Sequence, residues 1–164
     1  MKKIPLSQGK SALVDDEDYD WLSQHKWYAR EDGLTWYAMR NKKKDNGQWS
    51  TCSMHSVVLG KKEGFMTDHI NRNGLDNRRK NLRFCTSKQN QYNRVKVESA
   101  SGYRGVKQDK RSVKGSWTAV YRTNKKRIHV GSFSTPEAAA RAYDAAIKEV
   151  RGEFAVLNFP EEHK

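Results

Sequence analysis

The sequence predicts an α+β fold built from small antiparallel sheets and short helices. Segments rich in aromatic and β-branched residues recur along the chain, separated by Gly, Asn and Asp at turn positions. Helical spacing of apolar residues is clear in one long segment, which begins after Thr135 and ends at Gly152. A chain of 164 residues is long enough for one ordinary domain or two small ones.

The charge of the chain indicates a polyanionic partner. Lys and Arg number 32 against 19 Asp and Glu, which gives a formal charge of +13 and a pI near 9.8. Most of this excess lies beyond residue 40. Mean hydropathy is low at −1.01, yet five Trp residues supply enough apolar surface for thin folded cores.

No membrane segment or disulfide framework is expected. No run of about 18 apolar residues is present, and the opening MKKIPLSQGK lacks the apolar stretch of a signal peptide, which favours an intracellular location. Cys52 and Cys85 lie far apart and outside any CxxC pair, so no zinc site is expected and both are interpreted as buried thiols.

The first part of the chain is predicted to be rich in β structure. Strand segments are expected near residues 2–14, 26–31 and 35–41, with a short helix at 15–24. The acidic run DDEDYD starts that helix, where the positive end of the helix dipole favours carboxylates. We therefore interpret the run as structural rather than as a metal site.

The middle of the chain predicts a hairpin followed by a helix. WSTCS at 49–53 is expected to form a strand and MHSVVLG at 54–60 a short helix. A strand then leads into Asp68 and His69, and NLRFC at 81–85 returns beside it. A further helix starts at Thr86, whose side chain suits the N-cap position.

The last part predicts three strands and one helix. The segment RVKVESAS at 94–101 has no clear period and is predicted to be a linker. Strands are expected at 103–108, 116–122 and 126–133, and Thr135, Pro136 and Gly152 delimit the helix. An apolar stripe along it should pack on the sheet, formed by Ala139, Ala142, Tyr143, Ala146 and Val150.

Asp68, His69 and Asn90 carry the groups needed for phosphodiester hydrolysis. Mg²⁺ accepts one or two protein oxygens and keeps its waters for a phosphate ligand, so one carboxylate and one amide suffice. A neighbouring imidazole can deprotonate a water. Each residue alone is also compatible with an ordinary structural role, and Asp76 and Asn77 are interpreted as turn formers.

The segment DHINRNGLDNRRKNLRFCTSKQNQYN resembles the ββα-metal core of phage-type HNH homing endonucleases, over about residues 54–93. The resemblance implies that Asp68 and Asn90 bind the catalytic cation, Mg²⁺ or Mn²⁺, and that His69 is the general base. It gives Asn81 a supporting role among the catalytic residues, through a hydrogen bond that positions the backbone or ring of His69.

Several positions within this resemblance stay open. Asn93 competes with Asn90 as the second metal ligand, since the two lie near the same helical face. His55 matches a frequent family His, but it is equally compatible with packing under the hairpin. Arg72 stands where the family tends to have Gly, and it contributes to a basic rim predicted to contact DNA, formed by Arg72, Arg78, Arg79 and Lys80.

The segments YRGVKQ, WTAVYR, HVGSF and TPEAAARAYDAAIKEVRGEFAVLNFP closely resemble the DNA-binding domain of plant APETALA/ethylene-response factors, from about Gly102 to Pro160. In that family the sheet enters the major groove. The resemblance places at or near DNA the residues Arg104, Gly105, Lys107, Trp117, Arg122, Arg127 and His129. The family usually has Arg at Lys107 and Trp at His129, so the plant target sequence is not transferred.

The leading hypothesis is a metal-dependent endonuclease of double-stranded DNA, acting as a monomer without a small-molecule cofactor in a phage-infected or bacterial cell. Four segments are expected: a supporting portion at 1–53, the nuclease core at 54–93, the linker, and the DNA-binding domain at 102–160. A non-catalytic DNA-binding transcriptional regulator with a degenerate nuclease core is the alternative. An RNA-binding protein is a third interpretation, resting on charge and aromatic residues.

Overall fold

The computed structural model describes residues 1–33, 35–93, 100–110, 115–124 and 126–163. Helices and antiparallel sheets are mixed, which confirms the α+β prediction. The chain divides into two units, unit 1 (Met1–Asn90) and unit 2 (Gln91–Lys164). Within the described ranges, no helix has the length and apolar character needed to cross a membrane. Most of the predicted linker at 94–101 lies outside the described residues.

Unit 1 begins with a two-stranded and a three-stranded sheet. Its first elements are β1 (Lys2–Pro5), β2 (Ser11–Val14), α1 (Asp16–Ser23), β3 (Tyr28–Asp32), β4 (Thr35–Lys43) and β5 (Trp49–Ser53). β1 pairs with β2, and β4 lies between β3 and β5. The segment predicted as strand at 2–14 is therefore a hairpin, which turns where Gln8 and Gly9 adopt positive φ.

The second half of unit 1 confirms the predicted hairpin and helix. It contains α2 (Met54–Leu59), β6 (Met66–His69), a 3₁₀ turn (Arg79–Asn81), β7 (Leu82–Cys85) and the first four residues of α3 (Ser87–Asn93), whose last three belong to unit 2. Asn81, predicted as the first residue of the strand, belongs instead to the 3₁₀ turn. The Thr86 hydroxyl accepts from the Gln89 N–H at 3.3 Å, and the Gln89 side chain accepts from the Thr86 N–H at 2.8 Å, a capping box.

One hydrophobic core joins most of the elements of unit 1. Its buried members come from β1, β2, α1, the β3–β4 sheet, α2 and β7: Ile4, Ala12, Val14, Leu22, Trp27, Ala38, Met54, Val58 and Leu82. The β6–β7 hairpin is thus packed on residues from the first third of the chain.

The acidic run at the start of α1 also binds this hairpin. Asp18 is only 2% exposed and accepts two hydrogen bonds from the Arg79 guanidinium, at 2.7 and 2.8 Å. Asp15 accepts from the Arg79 backbone N–H at 2.7 Å. These contacts support the structural interpretation of the acidic run, and they tie α1 to the 3₁₀ turn before β7.

Unit 2 is a three-stranded antiparallel sheet packed on one helix, as predicted. Its elements are β8 (Val106–Gln108), β9 (Trp117–Thr123), β10 (Lys126–Phe133) and α4 (Pro136–Arg151), followed by 3₁₀ turns at Gly152–Phe154 and Pro160–His163. β9 lies between β8 and β10. The strand predicted at 103–108 is shorter, because Gly105 turns with φ +75° and its backbone passes against the ring of Tyr143.

The ends of α4 were predicted correctly, but its buried face was predicted only in part. The Thr135 hydroxyl accepts from the Ala138 N–H at 3.2 Å, and Gly152 ends the helix with φ +54°. The side of the helix buried with the sheet comprises Ala139, Ala140, Tyr143 and Ile147. Val150, expected in the apolar stripe, is 45% exposed, since the face is centred on positions 139, 143 and 147.

Candidate active site and DNA-binding surface

Asp68 and His69 are the last two residues of β6, just before the loop that connects β6 to β7. Pairing with β7 sets Asp68 opposite Arg83 and His69 opposite Leu82. Both side chains are buried, with 6% of Asp68 and 5% of His69 exposed. The strand therefore fixes a carboxylate and an imidazole at adjacent positions, as the sequence predicted.

Two aromatic side chains from other elements surround the His69 ring. The His55 ring of α2 meets it edge-on with centroids 4.8 Å apart. The Tyr37 ring of β4 lies 5.8 Å from His69 and 5.6 Å from His55. His55 thus packs beneath the hairpin, as one of the two interpretations of its sequence position expected.

Both histidines are held in the neutral form by burial. Burial lowers the pKa of His69, against the opposing influence of the Asn77 hydrogen bond and of the Asp68 and Asp76 charges. Burial, followed by the neighbouring His69, lowers the pKa of His55 to about 3. A neutral imidazole carries a lone pair and can accept a proton, which is what a general base requires.

Asn77 orients the His69 ring. Its side-chain Oδ1 lies 3.4 Å from His69 Nε2, and the residue is fully buried. In the tautomer that carries its proton on Nε2, the ring donates to this amide oxygen and keeps the lone pair on Nδ1. The interpretation of Asn77 as a simple turn former was therefore wrong.

Asn81 organises the loop between the two strands. Its Nδ2 donates to Asn71 Oδ1 at 3.0 Å and to the Asp76 carbonyl at 2.7 Å, and its Oδ1 accepts from the Asn71 N–H at 3.0 Å. Its backbone carbonyl also accepts from the Ile70 N–H at 2.8 Å, directly after His69, and the expected hydrogen bond from Asn81 to the His69 backbone or ring stays a prediction. Asn81 still fixes the segment that carries Asn77.

Asp76 is a second buried centre of this loop. Its carboxylate accepts from Arg78 at 2.6 and 2.7 Å and from Asn71 at 2.9 Å. The Arg78 hydrogen bond outweighs desolvation and lowers the pKa of Asp76. The prediction that Asp76 only forms a turn was also wrong, because its side chain is buried within an ion pair.

The predicted basic rim divides into paired and exposed members. Arg78 and Arg79 form ion pairs with Asp76 and Asp18, so a DNA contact from either remains a prediction. Arg72 is exposed and adopts a left-handed φ of +65°, in the turn where the sequence resemblance led us to expect Gly. Lys80 is also exposed.

The Asp68 carboxylate is held by Arg83 on the neighbouring strand. Arg83 Nε and Nη2 each lie 3.0 Å from Asp68 Oδ2. In the described part of the chain, no three His, Cys, Asp or Glu residues are grouped so as to hold a metal. A hard cation here would rest on one carboxylate, amide oxygens and water, a ligand set that Mg²⁺ accepts, so the residue types fit a divalent ion.

Asn90 and Asn93 both lie on α3. Asn90 is half-buried, and its backbone N–H donates to the Thr86 carbonyl at 2.9 Å. Asn93 is 6% exposed and ends the helix. Which of the two amides would share a cation with Asp68 stays a prediction.

In unit 2, strand pairing defines one basic face of the sheet. Residues directly opposite each other on paired strands project to the same side. Arg122 lies opposite Arg127, Val120 opposite His129, and Thr118 opposite Lys107. Alternation along β9 puts these three rows on one face, and the predicted DNA-contacting residues in them are all exposed: Lys107, Arg122, Arg127 and His129.

The other predicted DNA-contacting residues of unit 2 lie elsewhere. Trp117 is half-buried against the core under the sheet, in the row it shares with Gln108 and Phe133. Arg104 and Gly105 lie in the turn before β8, where the Arg104 N–H donates to Asn158 Oδ1 at 2.7 Å. DNA contacts from these three residues remain predictions.

Sequence reasoning missed several residues that shape the site. Tyr37 gave no local signal, because its role depends on packing of β4 against a loop far along the chain. Gly74 marks that packing: its backbone passes against the Tyr37 ring and donates to Thr35 Oγ1 at 3.0 Å. Arg83 was detectable, since it lies in a predicted strand opposite the predicted Asp68 strand.

Comparison with known proteins matches two segments of this chain to two families, as the sequence resemblances predicted. Residues 60–92 match the HNH endonuclease family, and residues 101–153 match the AP2 domain. An uncharacterized HNH endonuclease of Acanthamoeba polyphaga mimivirus is 27% identical over 158 residues, which cover 93% of this chain and 78% of that protein.

The AP2 match extends to plant proteins. The ethylene-responsive transcription factor ERF010 of Arabidopsis thaliana is 51% identical over 61 residues, covering 36% of this chain and 32% of that protein. ERF015 of the same plant is 52% identical over 64 residues, covering 38% and 33%. The chain thus spans about a third of the length of these factors. HNH and AP2 domains indicate a nuclease and DNA binding, respectively.

Proposed function

We propose that the protein is a divalent-metal-dependent endonuclease that hydrolyses phosphodiester bonds in duplex DNA, with His69 as general base. The observation that carries this proposal is the buried, neutral His69 beside Asp68 at the end of β6, with Asn77 on its Nε2. The HNH match at residues 60–92 supports the same assignment. In the phage-infected or bacterial cell that we expect as its host, the protein would meet its DNA substrate in the cytoplasm.

In the proposed reaction His69 Nδ1 takes a proton from water, and the resulting hydroxide forms a bond to phosphorus. The bond from phosphorus to the 3′ oxygen breaks, and that oxygen leaves with the electron pair and later gains a proton. Asn77 and the rings of Tyr37 and His55 act as positioning residues, since they hold the imidazole against rotation.

Asp68 and one of Asn90 or Asn93 would hold the cation, Mg²⁺ or Mn²⁺. Such an ion supplies shielding of the phosphate charge and stabilisation of the departing oxygen. Arg83, which balances the Asp68 charge, also keeps that carboxylate fixed on β6. We assign Asn81 to the support of the loop, through its three hydrogen bonds.

The exposed basic face of unit 2 is proposed to bind the duplex. Lys107, Arg122 and Arg127 provide donors for phosphate oxygens and base edges. This assignment draws on the AP2 match and on the placement of these side chains opposite the helix.

The test is cleavage of a supercoiled plasmid in Mg²⁺, compared between the wild type, wild type with EDTA, and His69→Ala. We expect nicked or linear product in the wild-type sample with Mg²⁺. The sample with EDTA and the His69→Ala sample should keep the plasmid supercoiled. A wild type that leaves several plasmids intact with Mg²⁺, Mn²⁺ and other divalent ions contradicts the proposal.

A DNA-binding regulator with an inactive core is the second candidate. The feature that favours it is the Asp68 carboxylate, which is 6% exposed and already forms an ion pair with Arg83 where a cation would have to bind. Sequence-specific binding to duplex DNA without any cleavage would support it.

A further inference from the structure

The β4–β5 hairpin projects from unit 1 without packing on it. Every residue from Asn41 to Trp49 is exposed, and Trp49 is 70% exposed. The turn is nonetheless ordered, since Lys44 N–H donates to the Gln48 carbonyl at 2.8 Å and Gly47 N–H donates to the Lys44 carbonyl at 2.9 Å. An isolated two-stranded hairpin is marginally stable in water. A large exposed indole at such a position is available to a partner, since Trp is enriched at interfaces.

The hairpin and the segment after α2 carry an excess of positive charge. Residues 40–62 contain a single acidic residue, Asp45, and six cations: Arg40, Lys42, Lys43, Lys44, Lys61 and Lys62. Among the described residues, none of these cations lies within ion-pair distance of a carboxylate. Their charge is therefore available to an external polyanion.

A groove of about 890 Å³ runs along the hairpin, from its turn to α2. Its lining includes cations and hydroxyl groups, among them Arg40, Lys42, Lys61, Ser50 and Ser53. The Arg40 guanidinium lies 5.2 Å from the centre of the Trp27 ring, and its buried Nε has no hydrogen-bond partner among the described residues. Such a set of donors suits the oxygens of a phosphate backbone.

The groove adjoins the proposed base. Ser53 Oγ lies 2.9 Å from His55 Nε2 and donates to Ser56 Oγ at 2.8 Å. The His55 ring in turn contacts His69, with centroids 4.8 Å apart. From Ser53 to Trp49 the strand extends about 13 Å, roughly the length of four base pairs. A duplex lying along the hairpin would thus pass the end of the hairpin nearest His69, with Trp49 about four base pairs away; both residues lie outside the groove lining.

We propose that the β4–β5 hairpin and its groove bind duplex DNA beside the scissile phosphate, with the lysines on the backbone and Trp49 against sugar or base. This inference rests on the proposed function for the identity of the polyanion. It adds a DNA-binding element to unit 1 that is separate from the sheet of unit 2. Charge complementarity and the active-site connection favour duplex DNA over other anionic partners.

The test measures binding of the full chain to a labelled 40-base-pair duplex of mixed sequence, in EDTA and at several salt concentrations. The variant replaces Lys42, Lys43 and Lys44 with Ala. The matched control replaces Lys2, Lys3 and Lys26 with Ala; these are exposed, and Lys2 lies 4.0 Å from Asp20 in the acidic part of the unit. We expect the hairpin variant to raise Kd about tenfold and to reduce the salt slope by up to about 2.7, at 0.9 for each lysine.

A second measurement follows tryptophan emission in the wild type and in Trp49→Phe as duplex is added. We expect quenching that Trp49→Phe largely removes, and this exposed substitution leaves the core intact. Equal affinity of the two triple variants, or a hairpin effect confined to a 40-nucleotide RNA or to a second copy of the chain, overturns the inference. Because binding is measured in EDTA, failure of plasmid cleavage would count against the proposed function alone.

Discussion

At the scale of single residues, burial of two imidazoles gives the site a definite pH dependence. The pKa of His55 falls from its usual 6.5 to about 3 in the folded protein because the ring is buried. Between these values the unfolded chain binds a proton at His55 that the folded chain does not. The free energy of unfolding of unit 1 therefore decreases as the pH falls from about 6.5 toward 3.

His55→Gln should make this pH dependence shallower. We expect the unfolding midpoint of the wild type to fall more steeply between pH 7 and pH 4.5 than that of the variant, as measured by thermal unfolding at each pH. His129→Gln, at an exposed position of unit 2, serves as the control and should keep the wild-type slope. Superimposable slopes for the wild type and His55→Gln would show that burial of this ring has no such effect.

Arg72 makes a second prediction at this scale, because it holds a left-handed φ of +65°. This conformation destabilises an L-residue by about 1 kcal/mol, and Gly adopts it at little cost. Arg72→Gly should thus be more stable than Arg72→Ala, although both remove the same charge. Denaturation followed by tryptophan fluorescence measures the difference, since four of the five Trp residues lie in unit 1. A more stable Ala variant would mean that the turn relaxes.

At the scale of elements, the exposed face of the unit 2 sheet should dominate salt-dependent binding by that unit. Replacing Arg122 and Arg127, opposite each other on β9 and β10, with Ala should raise Kd for duplex DNA. The slope of log affinity against log salt should fall by about 1.8 if both contact phosphate. Arg141→Ala with Lys148→Ala removes two charges from exposed positions of α4 and should leave affinity nearly unchanged. Equal losses from both pairs would remove the sheet from the DNA surface.

Elements with strong local signals were predictable from the sequence. Thr135, Pro136 and Gly152 bound α4 because caps and a fixed proline φ act within one turn. The buried face was harder, since Ile147 and Val150 are both apolar and only the extent of the sheet decides which is covered. The prediction of strand for residues 103–105 was wrong because Gly105 turns against Tyr143, which lies 38 positions farther along the sequence.

The residues of the candidate site also divide into those that local sequence predicts and those that tertiary packing determines. Asp68, His69 and Asn81 stand out through the resemblance, since the spacing of a hairpin is local. Asn77 and Tyr37 do not, because their contacts with His69 depend on how the loop folds back and on where β4 packs. The local motif therefore identified the candidate chemistry, and tertiary packing determined which side chains orient it.

At the scale of the whole molecule, the two units should unfold separately, since each has its own core. Leu22→Ala, from α1, and Ile147→Ala, from α4, each remove a side chain that is fully buried. Each should cost about 2–5 kcal/mol and lower only one of two transitions in calorimetry. We expect Leu22→Ala to impair the nuclease hairpin as well, because Leu22 and Leu82 share one core. A single transition lowered by either variant would contradict this division.

We propose that His69 acts as the general base of cleavage and that other residues hold the DNA. The most direct measurement compares the wild type and His69→Ala for Kd toward a duplex that the wild type cuts, and for the single-turnover rate at saturating protein. We expect the rate to fall about 10²- to 10⁴-fold, the usual contribution of a general base, with Kd within about threefold of the wild type. A His69→Ala variant that cuts at the wild-type rate would contradict the claim.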